Sequence, residues 1–180
     1  QKLNTLLEYY ESGNYNKTIQ FALSLTKNFP NHDLAWKILS IVLKKTGKIS
    51  ESLTACEKVV EITPHDALAH YNLGNTYRET AKFSQAEESY KKAISLKPDF
   101  PEAYYNLGIV SKNNFKLEAA EKYYKQAIHL KPNFAEAYNN LGTIVENLGK
   151  LSESEIYYKK AIDLNPKYAE AYNNLSLIHI

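Results

Sequence analysis

The chain is poor in the residues that build most chemical sites. Of its 180 residues one is cysteine, none is methionine, one is tryptophan and six are glycine. A lone thiol, Cys56, cannot close an internal disulfide or a multi-thiolate metal site. Arg78 is the only arginine, which removes the side chain most used to clamp phosphate bidentately. Charge of one sign is also missing. The 22 basic residues against 20 acidic ones leave a formal +2, too weak a field to gather nucleic acid or an anionic membrane. No apolar run approaches the length needed to cross a bilayer. The glycines never fall into G-x-G-x-x-G or a phosphate-binding loop, and neither H-E-x-x-H nor calcium-loop spacing occurs. His32, His65, His70 and His129 are scattered among expected helix ends and surface positions, without the i, i+4 pairing of a metal site. The Asn16-Lys17-Thr18 sequon is a weak pattern. No cofactor and no metal are implied, and an enzyme active site in this segment is not expected.

What the chain does have is a period. Five of its six prolines, Pro30, Pro64, Pro98, Pro132 and Pro166, recur every 34 residues. Units starting at Ala67, Pro101 and Ala135 read AHYNLG, AYYNLG and AYNNLG near their starts. Each then carries Tyr90-x-x-Ala93, Tyr124-x-x-Ala127 or Tyr158-x-x-Ala161 at helical spacing, followed by Ile94, Ile128 or Ile162. Two helices per unit are predicted. Gly13, Gly47 and Gly149 share one position between them, where a short turn uses positive φ, and Ala81 and Phe115 replace that glycine in the other units. Proline has no N–H and stops each second helix. Asp66, Asp99 and Asn133 are expected to cap the next, and Pro101 fits a first helical turn. A unit of this size cannot bury its apolar face alone, so the units must stack. The expected fold is all-α, a right-handed solenoid of antiparallel helix pairs. Its boundaries are 1–32 and 33–66 for two divergent units, 67–100, 101–134 and 135–168 for three regular ones, and 169–180 for a truncated one.

These residues resemble the tetratricopeptide repeat family, whose pattern sets an aromatic, Leu-Gly, tyrosine, alanine, aromatic, alanine and proline at fixed offsets. One unit supplies Leu73, Gly74, Tyr77, Ala86, Tyr90, Ala93 and Pro98. The next supplies Tyr104, Leu107, Gly108, Ala120, Tyr124, Ala127 and Pro132, and the third Tyr138, Leu141, Gly142, Tyr158, Ala161 and Pro166. The resemblance covers residues 67–168. Unit 33–66 keeps Trp36, Leu39 and Pro64 but has Ser40, Ser52 and Cys56 where the pattern wants glycine, alanine and an aromatic. Gly74, Gly108 and Gly142, with Ala93, Ala127 and Ala161, are expected where helices approach closely, and the tyrosines as packing residues. Cys56 reads as a small buried hydrophobe, and Glu87, Glu88, Glu118 and Glu121 as solvated helix exterior beside lysines. The chain opens at Gln1 without a methionine or an apolar leader, so an internal fragment, cytoplasmic by default, is the expectation. The closing string Leu-Ser-Leu-Ile-His-Ile, from Leu175 to Ile180, looks like translated sequencing adapter, with natural sequence expected to end at or near Asn174.

One recurrence goes beyond packing. Asn72, Asn106, Asn140 and Asn174 hold the same position of four successive first helices, although asparagine is a mediocre helix former. By helical spacing Asn72 shares a face with Leu68, Asn75 and Glu79; Asn106 with Glu102, Ile109 and Asn113; and Asn140 with Glu136, Thr143 and Asn147. A side-chain amide offers a donor and an acceptor and can pair with a peptide unit whatever the ligand's sequence. The resemblance implies that first helices line a concave surface. The wording is also close to the repeat region of O-linked N-acetylglucosamine transferase, which carries a similar asparagine ladder. Inheritance of the asparagine by duplication of near-identical units is the alternative. Tyr71, Tyr105, Glu79, Glu102 and Glu136 are the groove neighbours from which specificity would come.

The family's clamp for acidic chaperone tails needs lysine, arginine and asparagine in consecutive units. Lys37, Asn72, Asn75 and Asn106 offer fragments of it, but Glu102, Glu136 and Asn140 stand where basic residues are required, so such tails should bind poorly. The expected function is a protein–protein interaction scaffold holding an extended peptide in its groove. Two alternatives stand beside it: the substrate-recruiting arm of a larger glycosyltransferase or other enzyme, and a structural spacer or self-associating array.

Overall fold

The computed structural model describes residues 2–178, and every regular element among them is helical. The chain divides into two compact units, residues 1–96 and 97–180. The first holds α1 (Lys2–Glu11), α2 (Tyr15–Asn28), α3 (Asp33–Lys45), α4 (Ile49–Ile62), α5 (Ala67–Glu79) and α6 (Phe83–Leu96). The second holds α7 (Pro101–Asn113), α8 (Leu117–Leu130), α9 (Ala135–Asn147), α10 (Leu151–Leu164) and α11 (Ala169–Ile178). Within each unit, consecutive helices pack as pairs and the pairs stack. This is the layered all-α solenoid that the period predicts. His179 and Ile180 of the adapter-like string lie outside the described residues, while Leu175–Ile178 continue α11.

Local chemistry sets the ends. Each second helix from α2 to α10 stops two residues before its proline. Each first helix from α1 to α9 closes with a left-handed residue. At the end of α3 the N–H of Gly47 (φ 77°) bonds Lys44 O at 3.0 Å and that of Lys48 bonds Leu43 O at 2.8 Å, which satisfies the orphan carbonyls of the last turn. Ala81 (φ 56°) and Phe115 (φ 57°) make the same turn without glycine, and Phe115 does so 91% exposed.

Capping corrects the sequence reading. Asp66 accepts the N–H groups of Leu68 and Ala69 at 2.9 and 3.3 Å. The cap positions of α7 and α9, however, are Phe100 and Phe134, with no side-chain cap bond. Asp99 and Asn133 sit one residue too early to reach the first-turn donors. Phe134 serves packing instead, its ring centroid 4.7 Å from that of Tyr105.

The core forms where the helices of a pair touch. Tyr90, Tyr124 and Tyr158 are fully buried, each against the glycine of its partner helix, together with Ala93, Ala127 and Ala161. In the divergent pair the hydroxyl of Ser52 donates to Ser40 O at 2.8 Å, and Cys56 is buried beside Thr76, with Sγ and Oγ1 3.6 Å apart. His70 departs from the expected surface position: it is buried, with Nε2 3.0 Å from Pro64 O. His32 is at a helix end, where its Nδ1 accepts the Ala35 N–H at 3.4 Å.

Candidate functional site

The faces that carry the recurring asparagines belong to α5 in the first unit and to α7, α9 and α11 in the second. In the second unit the amides are built into the stack. Asn140, half-buried, donates from Nδ2 to the hydroxyl of Tyr105 at 3.1 Å. Asn174, also half-buried, donates to Oδ1 of Asn139 at 3.1 Å. Both bonds tie one first helix to a neighbouring first helix. Asn106 is only 7% exposed. Asn139 is fully buried, and its Nδ2 has no hydrogen-bond partner. Asn113 and Asn147 are exposed near the ends of α7 and α9. Tyr105 is half-buried, its ring 5.8 Å from that of Tyr124. Glu102 pairs with Lys131 at 3.1 Å, while Glu136 is exposed.

In the first unit Asn72 is exposed. Asn75 is drawn into packing, because its Oδ1 accepts the Tyr90 hydroxyl at 2.8 Å. Tyr71 lies on the Tyr90 ring at 5.9 Å, and Glu79 holds Lys44 at 2.7 Å. The named residues therefore divide. Asn72, Asn113 and Asn147 face solvent, Asn140 and Asn174 are shared between solvent and the stack, and Asn75 and Asn106 are mostly structural.

Charges are compensated locally. Lys37 bonds Asp66 at 2.9 Å and Asp33 at 3.3 Å, and the bond to Asp66 lifts its ammonium above the ordinary lysine value. Partial burial pushes the Asp66 carboxyl up, but the bond from Lys37 and the N–H groups of Ala69 and Leu68 together hold it below the ordinary value. Glu121 binds Lys125 at 2.6 Å and Lys150 at 2.9 Å, and these bonds lower its carboxyl. Among the described residues no group of three or more His, Cys, Asp or Glu side chains is placed to hold a metal. No described helix is long and apolar enough to cross a membrane.

The first unit also holds a cavity that spacing alone does not reveal. It has a volume of about 390 Å³ and is lined by Ser40, Ile41, Lys44, Cys56, Asn72 and Thr76 among others. The signal was present as Ser40 and Cys56 where the pattern wants glycine and an aromatic.

Stacked antiparallel pairs with a small residue against a buried ring define a helical repeat protein. Family models described as tetratricopeptide repeat match residues 101–134, 135–168 and 55–88, and a further TPR repeat model matches 74–114. The chain belongs to the tetratricopeptide repeat family. No curated protein matches it in sequence. Among solved structures it is similar to MamA, at 26% identity over 91% of this chain and 95% of that one, with a TM-score of 0.85. It is also similar to YrrB, a TPR protein with an unusual peptide-binding site, at 17% identity over 96% of this chain and 89% of that one, with a TM-score of 0.85. The first TPR of Spaghetti (RPAP3), bound to the HSP90 peptide SRMEEVD, aligns at 28% identity over 63% of this chain and 90% of that one, with a TM-score of 0.62.

Proposed function

We propose that the chain is a non-enzymatic scaffold that holds an extended peptide or protein segment against the asparagine-bearing faces of its first helices. The observation that carries this reading is the state of the Asn140 amide. Its bond to Tyr105 uses one of two amide hydrogens and fixes the plane of the group, leaving a second hydrogen and the carbonyl oxygen for a peptide unit. Asn174 is held the same way by Asn139. An amide pre-oriented by the stack loses less rotamer freedom on binding than a free one. YrrB and the RPAP3 domain, similar in fold, are described with peptide sites or bound peptide, which supports the class of ligand. The charge pattern argues against a chaperone-tail clamp, since Glu102 and Glu136 stand where that clamp needs cations.

Each hydrogen bond contributes about 0.5–1.5 kcal/mol net, so a few asparagines alone bind weakly and without sequence preference. The test is capture from a random peptide library by the parent chain and by an Asn140→Ala, Asn174→Ala variant. The variant should lose affinity across all captured sequences alike, with its melting temperature followed alongside. Unchanged capture by a folded variant would remove the amides from the mechanism.

A further inference from the structure

The repeat that departs from the pattern carries an empty place of defined shape. In the regular pair of the first unit a tyrosine fills the space between helices, and a Cβ added to Gly74 would stand 2.7 Å from Cε1 of Tyr90. One repeat earlier both partners change, with Cys56 in place of the ring and Ser40 in place of the glycine. A thiol is far smaller than a phenol, and the hydroxymethyl of serine restores little of the difference. The result is the cavity of about 390 Å³, continued by a narrower one of about 120 Å³ that reaches Val59, Leu68 and Ala69. The two share Ser40, Ile41, Cys56 and Asn72. The larger lies at the lower end of the volumes of small-ligand sites, roughly 300–1,000 Å³.

The lining selects an apolar guest. Ser40 donates to Lys37 O at 2.8 Å, Ser52 to Ser40 O at 2.8 Å and Thr76 to Asn72 O at 3.0 Å. Each hydroxyl thus has its single proton committed to a backbone carbonyl, so none is left to donate to a guest. Ile41 stands where Asn75 stands in the next repeat. Asn75 is the acceptor for the Tyr90 hydroxyl, at 2.8 Å, so a phenol in the cavity would lack the partner that Tyr90 has. A phenyl ring needs none.

Charge selects the neighbours of that ring. Lys44 and Lys45 line the wider end, and no carboxylate is among its lining residues. Lys44 is engaged by Glu79 at 2.7 Å, but Lys45 rests over the rings of Tyr10 and Tyr15, at 5.3 and 5.6 Å. These contacts bring no opposite charge.

We propose that this cavity receives a phenylalanine side chain from a partner peptide, with an adjacent acidic residue of that peptide against Lys45 and its backbone beside Asn72. The partner supplies the ring that this repeat lacks. The inference rests on the groove-binding reading above, and the test separates the two. The parent chain is titrated with acetyl-Glu-Phe-Glu-amide and with acetyl-Glu-Ala-Glu-amide, followed by amide chemical shifts. The phenylalanine peptide should bind about tenfold tighter or better, with shifts centred on Ile41, Cys56 and Asn72. A Ser40→Gly, Cys56→Phe variant fills the cavity from within with the ring the proposal invokes. It should melt no lower than the parent and lose the preference for phenylalanine, and Cys56→Leu should weaken that preference in part. Equal binding of the two peptides to the parent, or a preference that survives in the filled variant, overturns the proposal. If the preference is absent while Asn72→Ala still weakens both peptides, the cavity reading fails and the groove reading stands. If the preference is present while Asn72→Ala changes neither, the backbone part of the groove reading fails.

Discussion

A Cβ on Gly108 would stand 2.6 Å from Cε1 and 2.8 Å from Cδ1 of Tyr124, whose ring is completely buried. Those distances are shorter than real carbon contacts, so the glycine is dictated by the ring and not by backbone conformation. Gly108→Ala should cost about 1–3 kcal/mol by overpacking, read from urea unfolding of the full chain. Tyr124→Cys should also destabilise, by opening a cavity. The pair Gly108→Ser, Tyr124→Cys copies Ser40 and Cys56, and should cost less than the sum of its parts by about 0.5–3 kcal/mol. Simple additivity would mean that the two positions are independent.

Phe115 and Gly149 occupy equivalent turns with opposite economy. Phe115 holds φ at 57° with its ring 91% exposed, a conformation that costs an L side chain about 1–2 kcal/mol. Phe115→Gly should therefore raise the melting temperature, although a large apolar residue is removed. Gly149, at φ 78°, has nothing within 4 Å of a Cβ added to it, so the loss from Gly149→Ala would be conformational alone. Thermal melts of both variants check the opposite signs.

The parts of the fold that were legible in the sequence are those with a period. Prolines, the glycine–tyrosine pairs and the small residues at 93, 127 and 161 each encode a contact repeated every 34 residues, and each is where the pattern puts it. Capping was legible only at Asp66. Its equivalents are Phe100 and Phe134, and a frame one residue off pointed to Asp99 and Asn133. The bonds of Asn140 to Tyr105 and of Asn174 to Asn139 were not legible, because they depend on how far one first helix lies from the next and not on position within a repeat. The cavity at Cys56 was written in the sequence as two departures from the pattern. Divergence at a packing position subtracts volume, and subtracted volume is a physical feature.

Asp66 should show its cap and its ion pair separately. Asp66→Ala should cost about 0.5–2 kcal/mol, whereas Asp99→Ala should be close to neutral. The folded-state carboxyl is held below its ordinary 3.8. Its charge-dependent contribution is thus complete above that value and is lost as pH falls through the lower folded value. The gap in stability between the parent and Asp66→Asn should close as the solution is acidified through that range. A gap that persists in acid would mean that the Lys37 contact contributes nothing.

At the alkaline end the buried tyrosines set the limit. Burial pushes Tyr90 and Tyr158 far above their ordinary 10.0, and burial plus the Glu57 bond pushes Tyr77 up to about 12. The neutral phenol is the form the fold favours, so this stabilisation is complete below pH 10.0 and is lost as pH rises through the folded values. Tyrosinate absorbance should rise in two phases, the later one, from Tyr90 and Tyr158, together with loss of helical circular dichroism. A single phase that precedes unfolding would contradict the burial.

On the proposed reading Asn140 serves a peptide as well as Tyr105, and Tyr105 is the partner already present. Removing the acceptor with Tyr105→Phe keeps the ring against Tyr124 and Phe134 but ends the 3.1 Å bond. Stability should fall by about 0.5–1.5 kcal/mol, while the amide keeps both hydrogens for a ligand. Asn140→Ala removes the same bond and, with it, the proposed ligand contact. Peptide affinity should therefore drop with Asn140→Ala and hold or rise with Tyr105→Phe. Equal losses in the two variants would mean that the asparagine acts only through Tyr105, as a strut of the stack and not as a rung for a peptide.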